Sequence, residues 1–262
     1  MRILKKALPL WSAFFLAFFL SCTAYVRASC PSGFQAAAVD VANVYDGDTV
    51  RLKDGRRIRL IGINAPETEK ENKPAEYLAN ESAQRLRELL KGADVSLLIG
   101  KQPQDRYKRW LGHLFVDGRL ASEYLLSEGL AFHIAIPPNL KFLECLQQAE
   151  RRAVDTGLWA EKSDLYKSVF ALNSRESGFR VVTGKVSKIR KIRNGYIVEV
   201  GRRLAVKVPS NFFGLLGITD SNRLLGGKVR VRGWIRPKAE NAPAHFMPWF
   251  LSVRHSSQFE ML

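Results

Sequence analysis

Short stretches of alternating apolar and polar residues constrain the fold of this chain most. Between residues 38 and 62 the apolar positions recur with a period near two, and the turn sequence Lys53-Asp54-Gly55 interrupts them. This pattern is typical of a twisted β-hairpin with one buried face. Helical spacing follows in three segments, Ser82–Leu90, Ala121–Gly129 and about Lys141–Thr156. Residues 38–160 are therefore predicted to form a mainly β domain with helices.

A second group of strands is predicted in the last third of the chain. A polar and glycine-containing stretch over residues 161–178 is interpreted as a linker. Three strands, a segment with room for a short helix, and two more strands then follow: Arg180–Ile189, Tyr196–Val200, Leu204–Val208, Lys228–Ile235 and Phe250–Arg254. This order predicts a small barrel of the oligonucleotide-binding (OB) type over residues 179–258.

The N-terminal segment has the pattern of a secretory signal peptide. Arg2, Lys5 and Lys6 precede an apolar run of residues 7–20, and Val26-Arg27-Ala28 fits a small-residue cleavage site. Residues 1–28 are therefore predicted to be removed, which makes the protein periplasmic or secreted. The alternatives are an uncleaved anchor facing outside the cytoplasm or a lipid on Cys22; only these would bring the protein to a membrane.

Export determines how the cysteines are interpreted. Cleavage after Ala28 removes Cys22 and leaves Cys30 and Cys145, an even pair in an oxidising compartment. We expect these two to form a disulfide that ties the new N-terminus to the last predicted helix of the first domain. The alternative is two unrelated thiols.

The basic charge is concentrated near the C-terminus. Residues 171–262 contain 17 Lys and Arg against five Asp and Glu, whereas residues 31–170 contain 20 of each sign. Such a concentration favours a polyanionic partner such as DNA or RNA. Tyr196 and Trp234 lie among the basic residues of the predicted strands and would supply stacking rings. A solvated basic face, or one that contacts protein or an anionic membrane, is the alternative; no stable protein partner is implied.

The residues best suited to chemistry lie between Asp46 and Glu67. Asp46-Gly47-Asp48-Thr49-Val50 opens one predicted strand, and the run from Arg59 to Glu67 closes the next. Further along, residues 105–109 supply a second arginine beside a tyrosine that can stack on a base. Together, carboxylates and arginines can bind a metal, hold a phosphate and activate a water. Taken singly, each also fits a plain turn, a surface ion pair or a helix start.

Several separated motifs resemble the staphylococcal nuclease-like, or thermonuclease, family. They occur in the family's order and approximate spacing: Asp46–Val50, Arg59–Glu67, Asp105–Arg109, Asp117-Gly118, Glu128–Ala131 and Gly157–Trp159. The resemblance covers residues 38–160. It implies a five-stranded, OB-like barrel capped by helices, and a calcium-dependent phosphodiesterase that cuts DNA and RNA to leave 3′-phosphates.

The resemblance also assigns roles to individual residues. Asp48 matches a metal ligand, and Asp46 and Thr49 are expected to support it. Arg59 and Arg109 match the arginines that grip the scissile phosphate, and Glu67 matches the carboxylate that orients or deprotonates the attacking water. These three are the expected catalytic residues. Tyr107 and Lys108 are expected to contact the substrate.

Three positions depart from the family pattern. Asn64 stands in place of a second metal-binding aspartate, so it brings an oxygen ligand without charge and predicts weaker binding of Ca²⁺. Ala65 replaces a threonine whose backbone carbonyl helps coordinate the metal, a role that alanine can fill. Lys108 replaces a glycine, which adds charge but is expected to disturb the turn that aims Arg109.

The sequence therefore predicts an exported, calcium-dependent nuclease with an added nucleic-acid-binding barrel. The alternative is a non-catalytic nucleic-acid-binding protein that keeps the fold and has lost turnover through Asn64.

Overall fold

The first group of strands forms an OB-like barrel. A computed structural model of the protein describes residues 30–70, 73–153, 155–160, 163–173, 176–218, 220–241, 243 and 246–262. The predicted signal peptide lies outside these ranges. The strands of the first domain are β1 (Ala37–Ala38), β2 (Val41–Asp46), β3 (Thr49–Leu52), β4 (Arg57–Leu60), β5 (Ile63–Asn64), β6 (Val95–Gln104), β7 (Trp110–Val116), β8 (Arg119–Leu120) and β9 (Phe132–His133).

The strand order of this sheet brings the segments that contain Arg59 and Arg109 next to each other. The order is β1-β6-β7-β4-β3-β2, with β4 parallel to β7 and the other pairs antiparallel. Arg59 on β4 lies opposite Leu111 on β7, two residues after Arg109. The parallel pair therefore places both candidate arginines at neighbouring strands.

Three helices cover the barrel. They are α1 (Ala79–Leu90), α2 (Ala121–Ser127) and α3 (Leu143–Arg151). α1 begins three residues before its predicted segment, whereas α2 and α3 are shorter than theirs. Helix boundaries are the least certain part of a periodic pattern, and the ends of α2 and α3 continue as turns. Their buried residues, such as Leu86, Leu125 and Leu146, pack with barrel residues in one apolar core.

Cys30 and Cys145 form a disulfide across 115 residues of sequence. Cys145 lies on α3, and the Cys30 N–H donates a hydrogen bond to Glu123 Oε2 on α2 (3.0 Å). Closing a loop of this length stabilises the fold by about 4–5 kcal/mol in the chain-entropy account.

The second barrel follows the first along the chain. Its elements are β10 (Tyr166–Ser168), β11 (Gly178–Ile192), β12 (Gly195–Val200), β13 (Leu204–Val208), α4 (Phe212–Leu215), β14 (Lys228–Pro237), β15 (Trp249–Ser252) and β16 (Phe259–Met261). The ring β11-β12-β13-β15-β14 closes through a β11–β14 pairing, with β13 parallel to β15. The fold is therefore mainly β with helices, as predicted, and its second half is a closed five-stranded barrel.

The residues predicted as a linker are structured instead. Within 163–173, β10 pairs in parallel with residues 181–183 of β11, and Leu165, Val169 and Leu172 are buried. The prediction of a linker over 161–178 is wrong for this part, because its scattered apolar residues fill the core beside β11. The sequence showed too little periodicity over so short a strand to reveal this.

The two barrels share an apolar core. Phe132, Leu158 and Trp159 of the first half pack with Phe179 and Val181 of β11. A buried ion pair crosses the same interface, from Arg232 Nη1 on β14 to Glu150 Oε2 on α3 (2.7 Å). The barrels therefore pack as neighbours and are not separated by a free tether. None of the helices in the described part of the chain has the length and apolar character of a membrane span.

Candidate active site

Asp48 is the centre of the candidate site. It lies at the start of β3, where the β2–β3 turn passes through Gly47, and it is 4 % exposed. A side chain at Gly47 would collide with Ser82 Oγ on α1 (1.9 Å), so only glycine lets the turn pack this closely. The Asp48 N–H donates to Asp46 Oδ1 (3.0 Å), and Thr49 Oγ1 donates to Asp48 Oδ1 (3.0 Å). Asp46 and Thr49 thus form hydrogen bonds with Asp48 on either side of it in the chain.

Arg59 joins Asp48 to the segment after β4. Its Nη2 lies 2.8 Å from Asp48 Oδ2 and 3.1 Å from Asn64 Oδ1. Its Nη1 donates to the carbonyls of Leu60 (2.8 Å) and Ile63 (2.9 Å). The guanidinium is therefore fixed by four acceptors, which sets its plane beside the Asp48 carboxylate.

Asn64 and Ala65 complete this cluster. The Ala65 N–H donates to Asp48 Oδ2 (2.7 Å), and Asn64 Nδ2 donates to the Ala65 carbonyl (3.3 Å). Both residues are buried. The three predicted metal ligands, Asp48, Asn64 and Ala65, therefore lie in one hydrogen-bonded group.

Burial dominates the electrostatics of Asp48. Burial raises the pKa of Asp48 to about 8, opposed by the Arg59 guanidinium and assisted by the Asp46 carboxylate. A divalent cation bound at this carboxyl would lower its pKa, because positive charge stabilises the ionised form.

The donor atoms fit a hard cation but carry little charge. Asp48, Asn64 and the Ala65 carbonyl offer only oxygen, which suits Ca²⁺ or Mg²⁺. Within the residues that the structure describes, no group of three or more His, Cys, Asp or Glu side chains forms a metal site. Three protein oxygens would leave positions for water or substrate in the coordination of such a cation.

Glu67 lies just beyond this cluster and is accessible. Its side chain is 56 % exposed and forms an ion pair with Lys70 Nζ. The Glu67 N–H donates to Glu76 Oε2 (3.0 Å), and the Glu76 N–H donates to the Glu67 carbonyl (2.9 Å). Glu67 is held by its backbone while its carboxylate stays open to solvent, as a residue that must reach a water requires.

The turn between β6 and β7 carries Arg109. Asp105 Oδ2 accepts from Arg109 Nε and Nη2, both at 2.8 Å, and Asp105 Oδ1 accepts from the Arg109 N–H (3.0 Å). Partial burial acts to raise the pKa of Asp105, but the hydrogen bonds from Arg109 outweigh it and hold the pKa below its usual value. Asp105, which sequence reasoning did not single out, therefore aims Arg109.

Lys108 does not disturb this turn as expected. It adopts a left-handed backbone conformation, φ 62°, and its N–H donates to the Asp105 carbonyl (3.0 Å). The turn is therefore closed with lysine in a position that favours glycine. The Lys108 backbone is strained at this φ, while the hydrogen bonds that aim Arg109 are formed.

Tyr107 lies at the surface beside two arginines. It is 64 % exposed, and the Arg106 and Arg109 guanidinium groups lie 4.7 and 5.6 Å from its ring centroid. Within the described residues, no hydrogen bond joins Tyr107 or Arg109 to the Asp48 cluster. The structure thus places the predicted site residues in two groups on neighbouring strands, with Glu67 exposed beside the first.

Comparison with known proteins finds relatives of the first barrel. Residues 57–161 match the family described as staphylococcal nuclease homologue. Two similar relatives are the thermonucleases of Staphylococcus hyicus and Staphylococcus intermedius, at 36 % and 34 % identity, each covering 43 % of this chain and 69 % of the relative. Endonuclease YncB of Bacillus subtilis is 28 % identical over 47 % of this chain and 62 % of its own length.

These relatives carry the names of nucleases, and the matched residues contain Arg59, Asn64, Glu67 and Arg109. The second barrel lies outside the family match. On the identity and coverage of the thermonucleases, the chain belongs to the staphylococcal nuclease family.

Proposed function

We propose that this protein is an exported, Ca²⁺-dependent nuclease that hydrolyses phosphodiester bonds of DNA and RNA and leaves 3′-phosphates. The observation that carries the proposal is the hydrogen-bonded group of Asp48, Arg59, Asn64 and Ala65, with the exposed Glu67 carboxylate two residues further on. A nuclease needs these parts together: a metal ligand, a cation for the phosphate and a base for water.

Asp48, Asn64 Oδ1 and the Ala65 carbonyl would hold the metal. A bound Ca²⁺ supplies positive charge next to the phosphate oxygens. Because Asn64 contributes no charge, we expect the affinity for Ca²⁺ to be lower than a site with two aspartates would give.

The chain's own residues account for the remaining steps. Glu67 breaks its ion pair with Lys70 and accepts a proton from the attacking water. It thereby directs the water oxygen to phosphorus. Arg59 and Arg109 neutralise the charge that develops on the phosphoryl oxygens. The bond from phosphorus to the 5′ oxygen breaks, and that oxygen takes a proton from solvent water and leaves as a hydroxyl. Tyr107 stacks on a base, and Lys108 adds charge along the substrate backbone.

We also propose that the second barrel holds the nucleic acid. Cross-strand rows bring Arg190 and Lys207 into one line and Phe250 and Arg236 into the next. All four side chains are exposed, and Trp234, 40 % exposed, continues the same face of β14. Alternating cations and rings suit a single strand whose phosphates and bases both need contacts.

Some residues expected on this basic face have other partners. Arg232 is buried against Glu150 at the interface between the barrels, and Arg230 binds Glu260 (2.8 Å) and Tyr166 (3.3 Å). Tyr196 packs edge-on against Phe213, at 4.6 Å between ring centroids. Arg190 Nε also donates to Glu199 Oε1 (3.2 Å), but its side chain is 51 % exposed and stays open to a ligand. The proposed face is therefore narrower than the sequence predicts, and it consists of Arg190, Lys207, Trp234, Arg236 and Phe250.

The location outside the cytoplasm rests on two observations. The sequence begins with the pattern of a signal peptide, and the Cys30–Cys145 disulfide is a bond that persists in oxidising compartments. We therefore propose a periplasmic or secreted protein, with a membrane-anchored form as the alternative.

The test is cleavage of single-stranded and duplex DNA and of RNA by the chain from Ser29, with Ca²⁺ and with chelator. We expect cutting only with Ca²⁺ and products that end in 3′-phosphates, read by enzymatic end-labelling before and after phosphatase treatment. Products with 3′-hydroxyls, or equal cutting in chelator, would contradict the proposal.

A second candidate is a binding protein without turnover, which the uncharged Asn64 at the metal site favours. Tight, salt-sensitive binding of DNA with no cutting in any divalent metal would support it.

A further inference from the structure

The loop that carries Glu67 is closed by a second glutamate. Glu76 accepts the Glu67 N–H at Oε2 (3.0 Å) and donates its own N–H to the Glu67 carbonyl (2.9 Å). Both backbone polar groups of the proposed base therefore depend on Glu76. Lys70 binds the Glu67 carboxylate at the surface, where an ion pair is weak.

Glu76 is in turn held from the second barrel. Arg180, in β11, donates from Nη1 to Glu76 Oε1 (3.0 Å), across 104 residues of sequence. The Glu76 carboxylate thus bridges the two barrels, with one oxygen on the Glu67 backbone and the other on Arg180. Glu76 is 22 % exposed at its side chain and Arg180 is 10 % exposed, so solvent screens this contact little.

Arg180 is itself fixed inside its own barrel. Its Nε donates to Glu176 Oε1 (2.6 Å), and its Nη1 also donates to the Phe179 carbonyl (2.7 Å). Lys167 Nζ lies 3.0 Å from the other oxygen of Glu176. Charge-assisted hydrogen bonds of this kind are short and directional, and they set the position of the Arg180 guanidinium before it meets Glu76.

We propose that Arg180 is a positioning residue for hydrolysis, which acts through Glu76 on the backbone of Glu67. The second barrel would then take part in turnover as well as in holding the substrate. The inference rests on the proposed role of Glu67 as the group that activates water. A small displacement of such a group has a large effect on rate, because the reacting atoms must be aligned within a fraction of an ångström.

The first test compares kcat and KM of Arg180→Gln, Glu76→Gln and the unchanged chain on a short single-stranded DNA. The amide introduced by Glu76→Gln keeps one acceptor oxygen, so it could serve the Glu67 N–H or Arg180 but not both. We expect kcat to fall about 10- to 100-fold in either variant while KM stays within about twofold. Arg180→Lys, which can still donate to Glu76, should recover part of kcat.

Arg230→Gln is the matched control. Arg230 lies on the same barrel and pairs with Glu260 of that barrel, so it tests a general loosening of the second half. We expect its kcat to stay near that of the unchanged chain. An equal loss in Arg230→Gln and Arg180→Gln would overturn the specific role of Arg180.

The second test places Arg180→Gln in a Glu67→Ala background. If Arg180 acts through Glu67, the double variant is no slower than Glu67→Ala alone. A further loss of the same size would overturn the inference. If Arg180→Gln fails to fold, as judged by circular dichroism, Glu76→Gln in the same background tests the link from the other end.

The outcomes separate this inference from the proposed function. An unchanged chain that cuts no nucleic acid contradicts the nuclease itself. An active chain whose Arg180→Gln and Glu76→Gln variants keep full kcat contradicts only the positioning role.

Discussion

At the scale of the residue, the most informative position is Asn64. Its amide oxygen accepts from Arg59 Nη2 (3.1 Å), and its nitrogen donates to the Ala65 carbonyl (3.3 Å). The amide therefore fits the cluster as an internal hydrogen-bonding group, at the cost of the negative charge that a metal would prefer. The amide of Asn64 thus satisfies its protein partners, but we expect it to bind a metal less tightly than a carboxylate would.

Asn64→Asp is predicted to lower the Ca²⁺ concentration for half-maximal cleavage by about tenfold, because a second carboxylate raises affinity for a hard cation. A calcium titration of initial rate measures this. Asn43→Asp, the same change at an exposed position of β2, serves as the control and should leave the titration unchanged. An unaltered midpoint in Asn64→Asp would mean that position 64 does not contribute to a metal site.

Lys108 gives a prediction about stability. Because its φ is 62°, glycine should relieve strain, and Lys108→Gly is expected to raise the free energy of unfolding by up to about 1 kcal/mol. Urea denaturation measures the change. Lys101→Gly, in the extended strand β6, should instead lower stability by a similar amount; if both variants lose stability alike, the backbone at Lys108 is not strained.

At the scale of the element, the outer face of strand β14 is buried at one end and exposed at the other. Arg232 lies in the interface between the barrels, whereas Trp234 and Arg236, two and four residues further along, face solvent. The alternation of a strand puts all three on one face. The sequence predicted the strand and its basic character, but not which arginine would be buried, because Glu150 is 82 residues away in the chain.

The exposed part of this face leads to a prediction about salt. Replacing Arg190, Lys207 and Arg236 by Gln together should weaken binding to single-stranded DNA, and the slope of log K against log salt should fall by about 2, since each lost phosphate contact releases about 0.7 counterions fewer. Fluorescence anisotropy at several salt concentrations measures the slope.

The control for that experiment removes the same charge elsewhere. Lys53, Lys91 and Arg151, exposed residues of the first half, are changed to Gln together. Equal slopes for the two triple variants would show that net charge, and not this face, determines binding.

At the scale of the whole molecule, the shared core and the Glu150–Arg232 ion pair join the two barrels. We expect these contacts to couple the unfolding of one barrel to that of the other. Arg232 Nη1 also donates to the His133 carbonyl (3.1 Å). Removing either charge leaves the other buried and unpaired, which costs about 3–5 kcal/mol. Glu150→Gln and Arg232→Met should each lower the melting temperature, and the double variant should lose less than the sum of the two. Additive losses in differential scanning calorimetry would contradict a direct coupling.

Much of this architecture could be predicted from the sequence. Period-two alternation indicated the strands of both barrels, and the Asp46–Glu67 run indicated the cluster around Asp48, because these residues are near one another in the chain. The structured segment after residue 163, the shared core and the Arg180–Glu76 contact could not be predicted. Each depends on residues brought together from distant parts of the chain or on strands too short to show a period, and no local pattern reports such contacts.

In the proposed mechanism Glu67, two residues beyond Ala65, activates water for phosphodiester hydrolysis. Single-turnover cleavage of a labelled single-stranded DNA in Ca²⁺ by the unchanged chain and by Glu67→Ala, with binding affinity measured in parallel, tests this role. We expect the cleavage rate to fall at least about a hundredfold in Glu67→Ala while the affinity changes little. A Glu67→Ala variant that cuts at the rate of the unchanged chain would contradict it.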